Sequence, residues 1–196
     1  MGLACHVNKL LHSVATGEFI ALPAGGDVFT PDRIEKSVAF LEHNSVVMAV
    51  STSLTTIDHA GSVIKTATNT CDEPTIYTLN DYLTDAQLHI NGPSRTFQRM
   101  IPDTFGPFGK ACPTEDSTYL LRCFLSGKVA MLAEPLVHYR QHNASMSAPC
   151  NIQNLSVHSI HEQYLRDIAT AEKHFYDLKK FSVLYQATLA HTTSHT

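Results

Sequence analysis

The chain has 196 residues, of which 43% are hydrophobic and 16% charged, with a mean hydropathy of -0.07. That is enough length for one domain with its own core, in the composition of an ordinary globular protein. A net charge of -4 and a pI near 6.3 supply no basic field, which argues against a nucleic-acid binder.

The longest apolar runs, such as Val46–Val50 and Val129–Ala133, are too short to span a bilayer, so no transmembrane segment is expected. Met1–Leu11 is interrupted by His6, Asn8 and Lys9 and builds no apolar signal region. The five cysteines, Cys5, Cys71, Cys112, Cys123 and Cys150, include no C-x-x-C pair and read as reduced thiols in a cytoplasmic protein. Of the 12 histidines, most are expected at the surface, with His191 and His195 in a Thr/Ser-rich tail.

Val7, Leu10, Leu11 and Val14 have helical spacing, and Thr16-Gly17 ends that helix. Glu18–Leu22 reads as a short buried strand, and Pro23-Ala24-Gly25-Gly26 as a turn. Thr30-Pro31-Asp32 has the chemistry of a helix start, and the spacing predicts a helix to about His43 with Ile34, Val38 and Leu41 inward. Val46–Leu54 has a central-strand pattern. Asp58–Cys71 reads as a hairpin or loop excursion around Gly61, and Pro74–Ile90 is mixed. Asn91–Phe108, rich in Gly and Pro, is expected to be mostly loop. Thr114–Ser126 reads as a helix with Leu120, Leu121, Phe124 and Leu125 on one side. Val129–Ala133 and Pro135–His142 read as extended, and Leu155 to about Lys180 as one or two amphipathic helices. Alternating strands and helices imply a layered α/β domain.

Some stretches have a composition suited to chemistry. Glu115 and Asp116, adjacent at a helix start, could hold a metal and accept a proton, or simply complement the helix dipole. In an extended chain His138, Arg140 and His142 share one face, suited to a metal or diphosphate, or to a solvated edge strand. Asp27, after Gly25-Gly26, reads as a metal ligand or a turn cap. The segment from Asn91-Gly92-Pro93-Ser94 to Phe105-Gly106-Pro107-Phe108 could line an acceptor pocket, or be no more than a loop.

In order and spacing over residues 4–147, these pieces resemble family-2, GT-A-type glycosyltransferases of bacterial surface-polysaccharide synthesis. Gly17–Leu22 followed by Asp27–Glu42 is similar to the family's stretch across and beyond its DxD motif. Gly92-Pro-Ser-Arg-Thr-Phe and Phe105-Gly106-Pro107 are similar to the segment leading to the acidic helix. Thr114-Glu115-Asp116 and Glu134–His142 resemble the family's acidic motif and its PLVxYRxH signature.

The resemblance implies a GT-A-like, three-layer α/β mixed sheet over residues 1–150 and a C-terminal helical extension over 151–196. It implies inverting transfer of a sugar from a nucleotide-diphosphate donor to a polysaccharide or other glycan acceptor. Asp116 would be the general base; Glu115, His142 and Asp27 would approach Mg²⁺ or Mn²⁺; Arg140 and Asp27 would contact the donor diphosphate.

The chain departs from the family in two places. The turn reads Ala24-Gly25-Gly26-Asp27 where the family has Asp-x-Asp-Asp, so only the trailing carboxylate remains. The family's opening nucleotide-binding strands have no counterpart, so Glu18–Leu22 and Val46–Leu54 would lose a neighbour and expose a sheet edge, available to a second copy or another chain. The alternative is therefore a non-catalytic remnant acting as a binding or dimerisation module. A further alternative is an unrelated α/β protein with histidine-based metal binding.

Overall fold

The computed structural model describes residues 3–66, 73–108, 115–141, 165 and 168–183. Helix α1 (Leu3–Lys9) runs into a π-helical turn (Leu10–Val14), followed by strands β1 (Phe19–Ala21) and β2 (Val28–Phe29). Helix α2 (Arg33–His43) leads to β3 (Val47–Ile57), β4 (Val63–Thr66) and β5 (Thr75–Tyr77). Then come α3 (Leu79–Thr84), β6 (Thr96–Gln98), α4 (Met100–Phe105), α5 (Glu115–Ser126) and β7 (Lys128–Arg140). Residues 168–183 are helical.

The strands form one mixed sheet in the order β1-β6-β3-β7-β2, with β4 beside β3 and β5 beside β7. β3 and β7 are the long central strands and pair in parallel; the other ladders are antiparallel. Helices cover both faces, which the β3–β7 pairing makes plain. Ala49 opposes Val129 and both belong to the core beneath α1, α4 and α5. Val50 opposes Ala130, and both pack with Leu41 and Phe40 of α2 on the opposite face. A strand covered on both faces needs no polar alternation, which is why β3 reads as a near-continuous apolar and small-residue run.

Most elements fall where the sequence places them, and the exceptions have physical causes. Asn91–Phe108 holds β6 and α4. Three residues of strand and six of helix are too few to display a period, and tertiary contacts decide them. α2 begins at Arg33, with no side-chain cap bond at Asp32. Its inward face is Arg33, Ser37 and Leu41, whereas Ile34 is 51% exposed. Leu41 is inward as expected, whereas Arg33 and Ser37 take the other two inward positions in place of Ile34 and Val38. β3 has neighbours on both edges, while β1 ends the sheet with a single strand partner among the described residues.

The helix at 168–183 packs on α5. Arg122 and Asp177, both fully buried, meet through Nε at 3.0 Å and Nη2 at 3.3 Å. Lys180 Nζ donates to the Phe105 carbonyl at 2.7 Å. The boundary expected near residue 150 lies outside the described residues. Among those residues no helix is long and apolar enough to cross a membrane, and Cys5 and Cys123 are free thiols, with Cys123 pushed up to about 12 by burial.

Candidate functional site

The edge of β3 opposite β7 carries β6 at Ala49 and Val50 and β4 from Thr55 to Ile57. Between those ladders the Asn91–Ser94 turn takes the place of a strand. Ser51 Oγ donates to the Asn91 carbonyl at 2.8 Å, and Asn91 Nδ2 donates to the Thr52 carbonyl at 3.0 Å. Ser94 Oγ accepts from the Thr52 amide and donates to the Thr52 carbonyl, both at 2.9 Å. One hydroxyl thereby bonds both backbone groups of a fully buried residue, and Asn91 supplies a second donor to its carbonyl.

This turn abuts the acidic pair. A Cβ built on Gly92 would stand 2.5 Å from Asp116 Cγ and Oδ2 and 2.7 Å from Oδ1. The Asp116 carboxylate therefore occupies space that any other residue at 92 would fill. Arg95 closes the turn through its amide to the Gly92 carbonyl at 2.9 Å. Its Nη1 donates to the Asp116 carbonyl at 2.7 Å and its Nη2 to the Ile90 carbonyl at 3.3 Å. Arg95 is 3% exposed and its Nε is buried with no partner. Burial lowers its proton affinity, and the Asp116 charge is the first to oppose that. Glu115 is half-buried; burial pushes its carboxyl up, the Asp116 charge adds to this, and Arg95 opposes it. Asp116 itself is exposed at the first turn of α5.

Asp27 and Arg140 also meet. Asp27 Oδ1 accepts from the Arg140 amide at 2.9 Å. The Arg140 guanidinium ties two loops together, donating from Nε to the Gly26 carbonyl at 2.9 Å and from Nη1 to the Asp58 and His59 carbonyls at 2.8 and 2.9 Å. Burial raises the Asp27 pKa, against the Arg140 hydrogen bond and then the Arg140 and Arg33 charges. Arg33, 2% exposed, lies 4.3 Å over the Phe29 ring and donates from Nη2 to the Pro93 carbonyl at 3.2 Å. Arg33 thus joins α2 to the Asn91–Ser94 turn, and its charge acts on Asp27. His138 pairs with Val28 across the sheet, and His142 and Thr114 lie outside the described residues.

Among the described residues, the surroundings of Asp27 supply few donors for a hard divalent cation, although Asp27 Oδ2 is buried with no hydrogen-bond partner there. Such an ion takes several oxygen ligands, yet Gly25 and Gly26 offer no side chains and face open space. One Asp27 oxygen is taken by Arg140, and two guanidinium groups provide the neighbouring charge. Among the described residues no three His, Cys, Asp or Glu side chains converge to hold a metal. The groove of about 440 Å³ between α2 and β7, lined by Lys36, Phe40, His43, Leu132 and Glu134 among others, shares no lining residue with this site.

The sequence assigns no role to Arg33, Ser51 or Arg95, and Ser94 figures there only within the stretch that could line an acceptor pocket. Arg95 sits inside the Gly92-Pro-Ser-Arg stretch, but nothing local distinguishes a buried arginine from a solvated one. Its burial follows from the turn being held on β3.

No protein-family profile matches the chain, and no curated protein matches it in sequence. In structure it is similar to S. aureus TarS at 13% identity and TM-score 0.52, over 70% of this chain and 24% of that one. It is similar to TarS 1-349 in complex with UDP at 13% identity and TM-score 0.51, over 69% and 39%. For TarS 1-349 the values are 13%, 0.52, 89% and 52%. The chain therefore spans between about a quarter and a half of the length of these solved chains. Likeness at this identity speaks to fold alone: a mixed α/β sheet with helices, shared with part of these solved chains.

Proposed function

We propose that the chain is the acceptor-side, base-bearing part of a GT-A-type glycosyltransferase. It would transfer a sugar from a nucleotide-diphosphate donor to a polysaccharide or other glycan acceptor with inversion. The observation that carries this reading is the Asp116 carboxylate, exposed at the head of α5 and seated against Gly92 of a turn bonded to the central sheet. A base must be held within about an ångström of its working position, and this seat supplies that restraint.

On this reading Asp116 takes the proton of an acceptor hydroxyl as the oxygen attacks the anomeric carbon. The bond from that carbon to the phosphate oxygen breaks, and its electron pair leaves with the nucleoside diphosphate. Glu115, the neighbouring acid, has its carboxyl pushed up by burial. No step is assigned to a divalent cation: of the expected donors Glu115, His142 and Asp27, His142 lies outside the described residues.

The second reading is a non-catalytic remnant, favoured by the bare Gly25-Gly26 turn and by the engagement of Arg140 with backbone carbonyls. In that case the β1 edge would pair with a second copy, and sedimentation would give a dimer. Thermal unfolding with UDP- and GDP-sugars separates the two. A donor that raises the melting temperature supports the transferase; no shift with any of them at millimolar concentration favours the remnant.

A further inference from the structure

We infer that Arg95 is a positioning residue for Asp116, and that the turn carrying it is the template on which the base is set. The inference rests on the transferase reading for its catalytic meaning, but its geometry stands independently. Arg95 makes three hydrogen bonds that join two segments: it closes its own turn onto Gly92, holds the Ile90 carbonyl that enters the turn, and holds the carbonyl of Asp116 itself. Its side chain is almost wholly withdrawn from water and has no carboxylate partner in direct contact among the described residues.

Burying a guanidinium is costly, and here its hydrogen bonds to two carbonyls and the Asp116 charge offset that cost. The Asp116 carbonyl is also the one that the Leu120 amide would bond in the first turn of α5. Arg95 therefore holds the backbone of the base while Gly92 leaves room for its carboxylate. The turn is itself anchored to Ser51 and Thr52 of the central strand, so Asp116 is referenced to the sheet rather than to a loop.

The test uses the full chain with Arg95→Met and Arg95→Lys, the latter keeping the charge and one donor should the former fail to fold. Amide exchange is read at Leu120, with Leu125 further along α5 as reference, and donor turnover is measured in parallel. Positioning predicts that Leu120 exchanges at least about 10-fold faster in Arg95→Met while Leu125 does not. It also predicts a kcat lowered roughly 100-fold with the donor KM within about 2-fold, and a smaller loss in Arg95→Lys. Exchange that rises equally at both amides, or unchanged kcat in both variants, overturns the inference. If the unaltered chain releases no nucleotide, the transferase reading fails, and selective exchange at Leu120 still decides whether Arg95 fixes Asp116.

Discussion

Gly92 and Asp116 are in contact so close that the glycine's missing side chain is part of the acid's seat: a Cβ at 92 would come within 2.5 Å of the Asp116 carboxylate carbon. Gly92→Ala must displace that carboxylate, since real Cβ contacts are not found at such distances. The substitution should lower transfer roughly 100-fold, with far-UV circular dichroism unchanged. Full activity in Gly92→Ala would mean that the location of the Asp116 carboxylate is immaterial.

Arg140 makes a different case. Three hydrogen bonds from its guanidinium reach the Gly26, Asp58 and His59 carbonyls. Arg140→Lys cannot reproduce that fork and should destabilise the chain by about 1–2 kcal/mol in urea unfolding. The Gly61 amide, which bonds the Asp58 carbonyl, should exchange faster. Unchanged stability would show that the guanidinium is free for a ligand.

The buried pair Arg122–Asp177 joins α5 to the helix at 168–183. Removing one partner leaves the other charged and dry. Asp177→Asn should cost about 3–5 kcal/mol by chemical denaturation, whereas a loss below about 1 kcal/mol would mean that the C-terminal helix is not docked as described.

Glu115 carries a pH signature. Its folded pKa is raised above the ordinary 4.5, chiefly by burial. The folded state then binds the proton more tightly than the unfolded state, so this residue's contribution to stability is favourable at low pH. It is lost as pH rises from about 4.5 through the folded value. Glu115→Gln should therefore unfold at a higher temperature than the parent at pH 7 and show a flatter profile over that window. An unchanged profile would place Glu115 in water.

Much of this molecule was legible in its residues. The central strands were visible because two-face burial writes a continuous apolar run, and α5 because Leu121, Phe124 and Leu125 recur on one face. The acid pair and its place before β7 were visible as well. What escaped was whatever depended on distant contacts. β6 is only three residues and exists because Ala49 and Val50 offer it an edge. Arg33 and Ser37 face inward against their polarity, and Arg33 is explained by the Pro93 carbonyl and the Phe29 ring rather than by anything in α2. The turn seen as a pocket lining is a surrogate strand, a role that only Ser51 and Thr52 reveal.

The proposed role of Asp116 as a base for glycosyl transfer is tested by nucleotide release from UDP- and GDP-sugars in the presence of glycan acceptors. Acceptor-dependent release by the chain is expected, with a fall of roughly 10²–10⁴ in Asp116→Asn and donor binding retained. Equal release by chain and variant, or no release with any donor, would contradict it.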